Sequence, residues 1–131
     1  MLELLIVVVI LSILAAAVIF ALGGVPTQSV QAACNSDAKS VEEAVMAFHN
    51  NPKNTVAVDQ YPALGASGQT ELTAPSSSDY GGPYLRTWPK NPSHYTITLD
   101  PTTKGQVDVT PAGTSTPMNF DGAPDPCASV S

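Results

Sequence analysis

Met1-Leu2-Glu3-Leu4-Leu5-Ile6-Val7-Val8-Val9-Ile10-Leu11-Ser12-Ile13-Leu14-Ala15-Ala16-Ala17 opens the chain, and Glu3 is its single charged side chain before Asp37. From residue 4 to residue 25 there are 22 residues, all apolar or small except Ser12. As a helix they would span roughly 33 Å, about the thickness of a bilayer core. Because the run is apolar on every face, it is expected inside a membrane or in the middle of a helical bundle. An acid at the end of such a segment is costly, on the order of 2.5 to 3.5 kcal/mol at a membrane centre, so it demands a partner. Glu3 is therefore the first candidate functional residue.

Downstream, Gly23, Gly24 and Pro26 supply two flexible residues and a missing amide donor, which predict a kink or an extended stretch over 23–26. These breakers divide a hydrophobic helix, 1–25, from a head, 26–131. Over 27–50 the residues Val30, Ala33, Cys34, Ala38, Val41, Val45 and Phe48 recur every three or four positions. Gln31, Asp37, Lys39, Glu42, Glu43 and His49 take other positions, which gives an amphipathic helix with one face for a sheet. Asn50-Asn51-Pro52 is the expected stop, Asn tolerating the left-handed conformation and Pro ending the ladder. Residues 51–93 read as loop, punctuated by Tyr61-Pro62, Gly65, Gly68, Pro75, Gly81-Gly82-Pro83 and Trp88-Pro89, with a short strand over 55–58 or 69–73. Residues 94–131 read as hairpin and tail: strands over 94–99 and 106–110 joined by a turn, a third over 116–120, then an irregular end. A long helix followed by short antiparallel strands is an α+β arrangement.

The opening stretch closely resembles the mature N-terminus of type IV pilins and the related pseudopilins: a glutamate, a Leu/Ile/Val run, a small residue, then Ile-Leu-Ala-Ala. The segment Pro83-Tyr84-Leu85-Arg86-Thr87-Trp88-Pro89 also resembles a stretch of some Gram-positive and actinobacterial pilin-like heads. The family glutamate stands two residues further from the processed terminus, after an aromatic residue that becomes N-methylated. Two expectations follow: either a dipeptide such as Phe-Thr precedes Met1, with Met1 internal to a processed precursor, or this chain differs where the glutamate meets a free amine. The resemblance implies the pilin fold, a long helix packed on a small antiparallel sheet. It also implies a major pilin that rests in the cytoplasmic membrane and then polymerises into an extracellular filament. Implied partners are further copies of the chain, a prepilin peptidase, an assembly ATPase and a platform membrane protein. The alternatives are a pseudopilin of a type II secretion or competence apparatus, and a simple membrane-anchored surface protein.

On this reading the assembly residues are Glu3 with Leu4, Leu5, Ile6, Val7 and Val8, continued by Ile10, Leu11, Ile13 and Leu14. Glu3 would pair with the N-terminal amine of a neighbouring subunit and so penalise wrong axial registers; the alternative is a residue at the membrane rim that reaches water. Ser12 is expected to return its hydroxyl to a carbonyl one turn earlier. Together with Ala15, Ala16 and Ala17 it also allows close helix approach.

The 131 residues include 12 Pro, 9 Gly and 2 Cys. A small head rich in turns gains from a covalent staple. Cys34 and Cys127, 93 residues apart, are the candidates. Their even count, the absence of CxxC spacing and an extracellular setting favour one disulfide over a metal site or redox pair, with two buried thiols as the alternative. Closing so long a loop is worth roughly 4 to 5 kcal/mol in the chain-entropy model. The net charge is −6, and Lys39, Lys53, Arg86, Lys90 and Lys104 are scattered, so no basic stripe exists for nucleic acid. Juxtamembrane Lys/Arg are lacking, which weakens a permanent signal-anchored reading.

Neither an enzyme nor a cofactor is expected: there is no Gly-x-Ser-x-Gly, no His-Glu-x-x-His and no phosphate-binding glycine loop. His49 and His94 stand alone and read as surface or hairpin residues. Asp100, Asp108, Asp121 and Asp125 invite comparison with the calcium loops of pseudopilins, but their spacing is ordinary turn chemistry, and no metal site is assigned. Only Phe20 of the eight aromatic residues lies in the first helix, which argues against an aromatic path along a filament core. Residues 76–78 and 114–116 are expected to face outward as bare Ser/Thr loops, with O-linked glycans the alternative.

Overall fold

The computed structural model describes residues 1–22, 25–52, 60–76 and 79–131. In chain order the elements are α1 (Leu2–Leu22), α2 (Val25–His49), α3 (Ala66–Thr73), β1 (Tyr95–Leu99), β2 (Val107–Pro111), β3 (Met118–Asn119) and a closing 3-10 turn (Pro126–Ser129). The class is α+β. The sheet is antiparallel in the order β1-β2-β3, leaving β1 at one edge.

Of the expected helix break, Gly23 and Gly24 lie outside the described residues, as does the proposed strand over 55–58. Pro26 stands in the first turn of α2, where a helix needs no amide donor and a fixed φ is an advantage.

Helix α2 buries Cys34, Ala38, Val41, Ala44, Val45 and Phe48, an i, i+3/i+4 stripe that meets the inner face of the sheet. Ala33, expected on that face, is exposed. Its neighbour Cys34 takes the inward position, because adjacent residues are about 100° apart around the axis. The helix ends differently from expectation: neither Asn50 nor Asn51 adopts a positive φ. Instead the Asn50 side-chain and backbone N–H groups both donate to the Met46 carbonyl, at 2.9 and 3.0 Å. That satisfies a carbonyl the helix itself leaves open.

Period-2 alternation decides the sheet. Tyr95, Ile97 and Leu99 of β1 face inward opposite Pro111, Val109 and Val107 of β2, while Thr96 and Thr98 face the other way. Pro111 needs no ladder donor, since the strand end is closed by Ala112 N–H donating to the His94 carbonyl at 2.8 Å. Gly105 turns the hairpin with φ +79°, and a Cβ there would meet the Tyr61 ring at 2.7 Å, so both conformation and space call for glycine.

The third strand is shorter than expected, Met118–Asn119, the end of the chain carries a 3-10 turn, and a further segment changes type. Residues 69–73 are helical, part of α3, rather than strand. Leu72 is fully buried in the core, and Gly68, one turn earlier, lets the helix lie close to Ala63 and Leu99. A Cβ on Gly68 would come within 2.0 Å of the Ala63 carbonyl oxygen and 2.6 Å of Leu99 Cδ1. The Glu71 carboxylate ties the preceding turn by accepting from Ala63 N–H at 2.7 Å. Tertiary contact, not periodicity, sets this helix.

Candidate functional site: an exposed apolar helix carrying one acid

Helix α1 is made almost wholly of Leu, Ile, Val and Ala, and its side chains from residue 2 to residue 19 are exposed in the single chain. Leu5 is 62% exposed, Ile10 51% and Ile13 64%, although they point in different directions around the axis. A soluble domain hides such residues; here the whole cylinder waits for an apolar environment. Leu2–Ile19 is long and apolar enough to cross a membrane, or to serve as a signal sequence, by length and composition.

Leu4, Leu5, Ile6, Val7 and Val8, then Ile10, Leu11, Ile13 and Leu14, all belong to this exposed cylinder. Glu3 lies in its first turn, exposed, where an acid is favoured by the partial positive charge of the free N–H groups. The Ser12 hydroxyl donates to the Val8 carbonyl at 2.7 Å. Its polarity is thereby absorbed within the helix, which leaves Glu3 as the polar side chain of the cylinder that, up to Ala17, still lacks a partner among the described residues.

The head is closed by a second set of residues. Cys34 and Cys127 form a disulfide with a Cα–Cα distance of 5.7 Å, both residues fully buried. The bond joins α2 to the closing 3-10 turn. Beside it the Gln31 side-chain amide donates to the Ala128 carbonyl at 2.9 Å and to that of Val130 at 3.4 Å. Tyr95 O–H donates to Asp37 Oδ2 at 2.7 Å, a cross-tie from β1 to α2. Burial first, and then this carboxylate, hold the Tyr95 phenol above its usual range.

The four C-terminal aspartates do separate tasks. Asp100 Oδ1 accepts from the Thr102 hydroxyl and from the Thr102 and Thr103 amides. Those bonds hold its carboxyl down to about 2. Asp108 lies on β2 and is 3% exposed; burial raises its carboxyl, Gln106 Nε2 donating to Oδ1 at 2.8 Å opposes the rise, and the nearby Asp100 charge adds to it. Asp125 Oδ1 accepts from Cys127 N–H at 2.8 Å and starts the closing turn, and Asp121 follows a turn at Asn119. Among the described residues no three His, Cys, Asp or Glu side chains converge as metal ligands would.

The aromatic segment 83–89 is a strap. Tyr84 and Leu85 N–H both donate to the Leu72 carbonyl at the end of α3, each at 3.0 Å, and Trp88 Nε1 donates to the Ile97 carbonyl on the open edge of β1 at 3.0 Å. Tyr84 meets Phe48 edge-on at 5.3 Å between centroids. Of the lone histidines, His49 is half-buried, stacked on Tyr61 at 4.1 Å, and His94 Nδ1 lies 2.7 Å from the Ser131 carbonyl oxygen. Ser76 and residues 114–116 are exposed, whereas Ser77 and Ser78 fall outside the described residues. No family model, curated protein or solved structure matches the chain.

Proposed function

We propose that this chain is a structural subunit, a major pilin of the pilin fold, that is held in the cytoplasmic membrane by α1 and polymerises through the same helix into an extracellular filament. The observation that carries the reading is the exposed apolar cylinder with Glu3 in its first turn. Its 21 residues rise about 31 Å, enough to cross a bilayer core. In a filament the same surface is covered by neighbouring α1 helices. Lipid tails are as apolar as leucine, so moving α1 from bilayer to filament gains little from the hydrophobic effect and must rely on packing and polar pairing. An external energy source for extraction follows from that balance, consistent with an assembly ATPase and platform protein as partners.

Glu3 gives the transfer its specificity. Paired with the terminal amine of a neighbour, the carboxylate is compensated; one turn out of register it is a buried charge without a partner, and the error is penalised. Chemistry on a substrate plays no part in this role. Replacing the acid, Glu3→Ala, is expected to leave the chain stably inserted while the affinity of each addition step falls at least about tenfold, ~1.4 kcal/mol, and filament yield drops sharply with it. Sheared-fraction immunoblotting beside membrane-fraction immunoblotting checks this. Filaments of normal yield and length from the variant would contradict it.

A further inference from the structure

The outward side of β1 carries a cleft of about 300 Å³, at the small end of the range for ligand sites. Trp88 lines it, and the ring is fixed in place because its N–H is spent on the Ile97 carbonyl. Pro89 and Pro92 extend the apolar wall. Most of the lining is apolar, and Lys90, Gln69, Thr96 and Thr98, residues with an ammonium, an amide and two hydroxyls, complete it. None of these four groups makes a hydrogen bond or ion pair with another described residue. An immobilised aromatic ring therefore shares a mostly apolar cleft with residues whose side-chain donors and acceptors are unspent.

That combination narrows the occupant. A ligand with an apolar face and polar edges matches a mostly apolar wall flanked by unspent polar side chains, whereas a wholly apolar one leaves without a partner any of those groups that it covers. An added β-strand is excluded at this edge, because the Ile97 carbonyl is taken by Trp88 and Tyr95 N–H donates to the Asn91 carbonyl at 2.8 Å. A pyranose ring suits both halves: its C–H face lies against an indole, and its equatorial hydroxyls reach amides and hydroxyls at the rim. Lys90 adds a charge requirement. On a chain of net charge −6 a lone exposed ammonium at the cleft selects an anion at short range, where neighbouring acids no longer dominate.

We propose that this cleft binds an acidic saccharide, one hexuronate unit stacking on Trp88 with its carboxylate on Lys90. The site is on the head and does not depend on whether α1 builds filaments. Trp88 is the chain's single tryptophan, so its emission reports the site directly. The full chain, held in a polyoxyethylene detergent that contains no sugar, is titrated with trigalacturonate. A saturable change in emission is expected, with Lys90→Gln binding about tenfold more weakly, as for loss of one charge-assisted hydrogen bond. Lys39→Gln, which removes a cation on α2 that is paired with Glu42, should bind like the parent. Thermal melts of Lys90→Gln that match the parent show that the fold is kept. The proposal is overturned by the absence of a saturable change or by equal affinity of Lys90→Gln. An equal response to the methyl-esterified trisaccharide, or preferred binding of an oligothymidylate, overturns it as well.

Discussion

Glu3 and Asp108 are carboxylates under opposite constraints. Glu3 is exposed in the isolated chain and, in the proposed filament, acquires a cationic partner; Asp108 is already buried, with the Gln106 amide and a second acid, Asp100, beside it. Since the folded state raises the Asp108 pKa, the native form holds its proton more tightly than the unfolded chain does. Asp108 therefore costs nothing well below pH ~4 and reduces stability as pH rises through the unfolded value toward the folded one. Asp100 has the opposite sign: its carboxyl, held down to about 2, adds stability above the ordinary carboxylate range, and that contribution is lost as pH falls toward 2. Asp108→Asn keeps an oxygen to accept from Gln106 and removes the buried charge. Its melting temperature should exceed the parent's by a few degrees at pH 7, the gap closing near pH 3. Calorimetry at the two pH values checks this, and a lower melting temperature for the variant at pH 7 would contradict it.

At the scale of elements, the closing turn is held to α2 by one covalent bond and the Gln31 contacts, with Val130 buried beneath. A Cys34→Ala/Cys127→Ala double variant should lose about 2 to 5 kcal/mol in urea unfolding, because the unfolded chain regains the freedom of a loop 93 residues long. Amide exchange should rise first over 126–130. An unchanged urea midpoint would refute the staple. The disulfide was legible from two cysteines and a turn-rich head, and the hairpin from strict alternation in Tyr95-Thr96-Ile97-Thr98-Leu99. Helix α2 was legible from its stripe, apart from Ala33 and Ala44. Helix α3 was not, since Gly68 reads as a turn residue until Ala63 and Leu99 are seen to crowd it. The cleft was equally hidden: Gln69 comes from a helix that the sequence does not announce, and the role of Trp88 depends on which edge of the sheet is open. Burial of Asp108 gave no sequence signal, because Val107-Asp108-Val109 alternates as it would in a strand with one wet face.

For the whole molecule, a head of about 100 residues is joined to a helix whose side chains from residue 2 to residue 19 are exposed. The head closes its own core between α2, α3 and the sheet, whereas α1 contributes nothing to it from residue 2 to residue 19. In the proposed role the same apolar cylinder serves first a bilayer and then a set of neighbours. On that proposal the acid in its first turn decides the axial step between subunits. The direct measurement is electron cryomicroscopy of material sheared from cells that express this chain and its Glu3→Ala variant. The account predicts long filaments from the parent, with α1 packed against copies of itself at the centre and Glu3 beside a neighbouring terminal amine, and few or none from the variant. Recovery of the parent only as single chains in the membrane, or filaments in which α1 lies away from the centre, would contradict it.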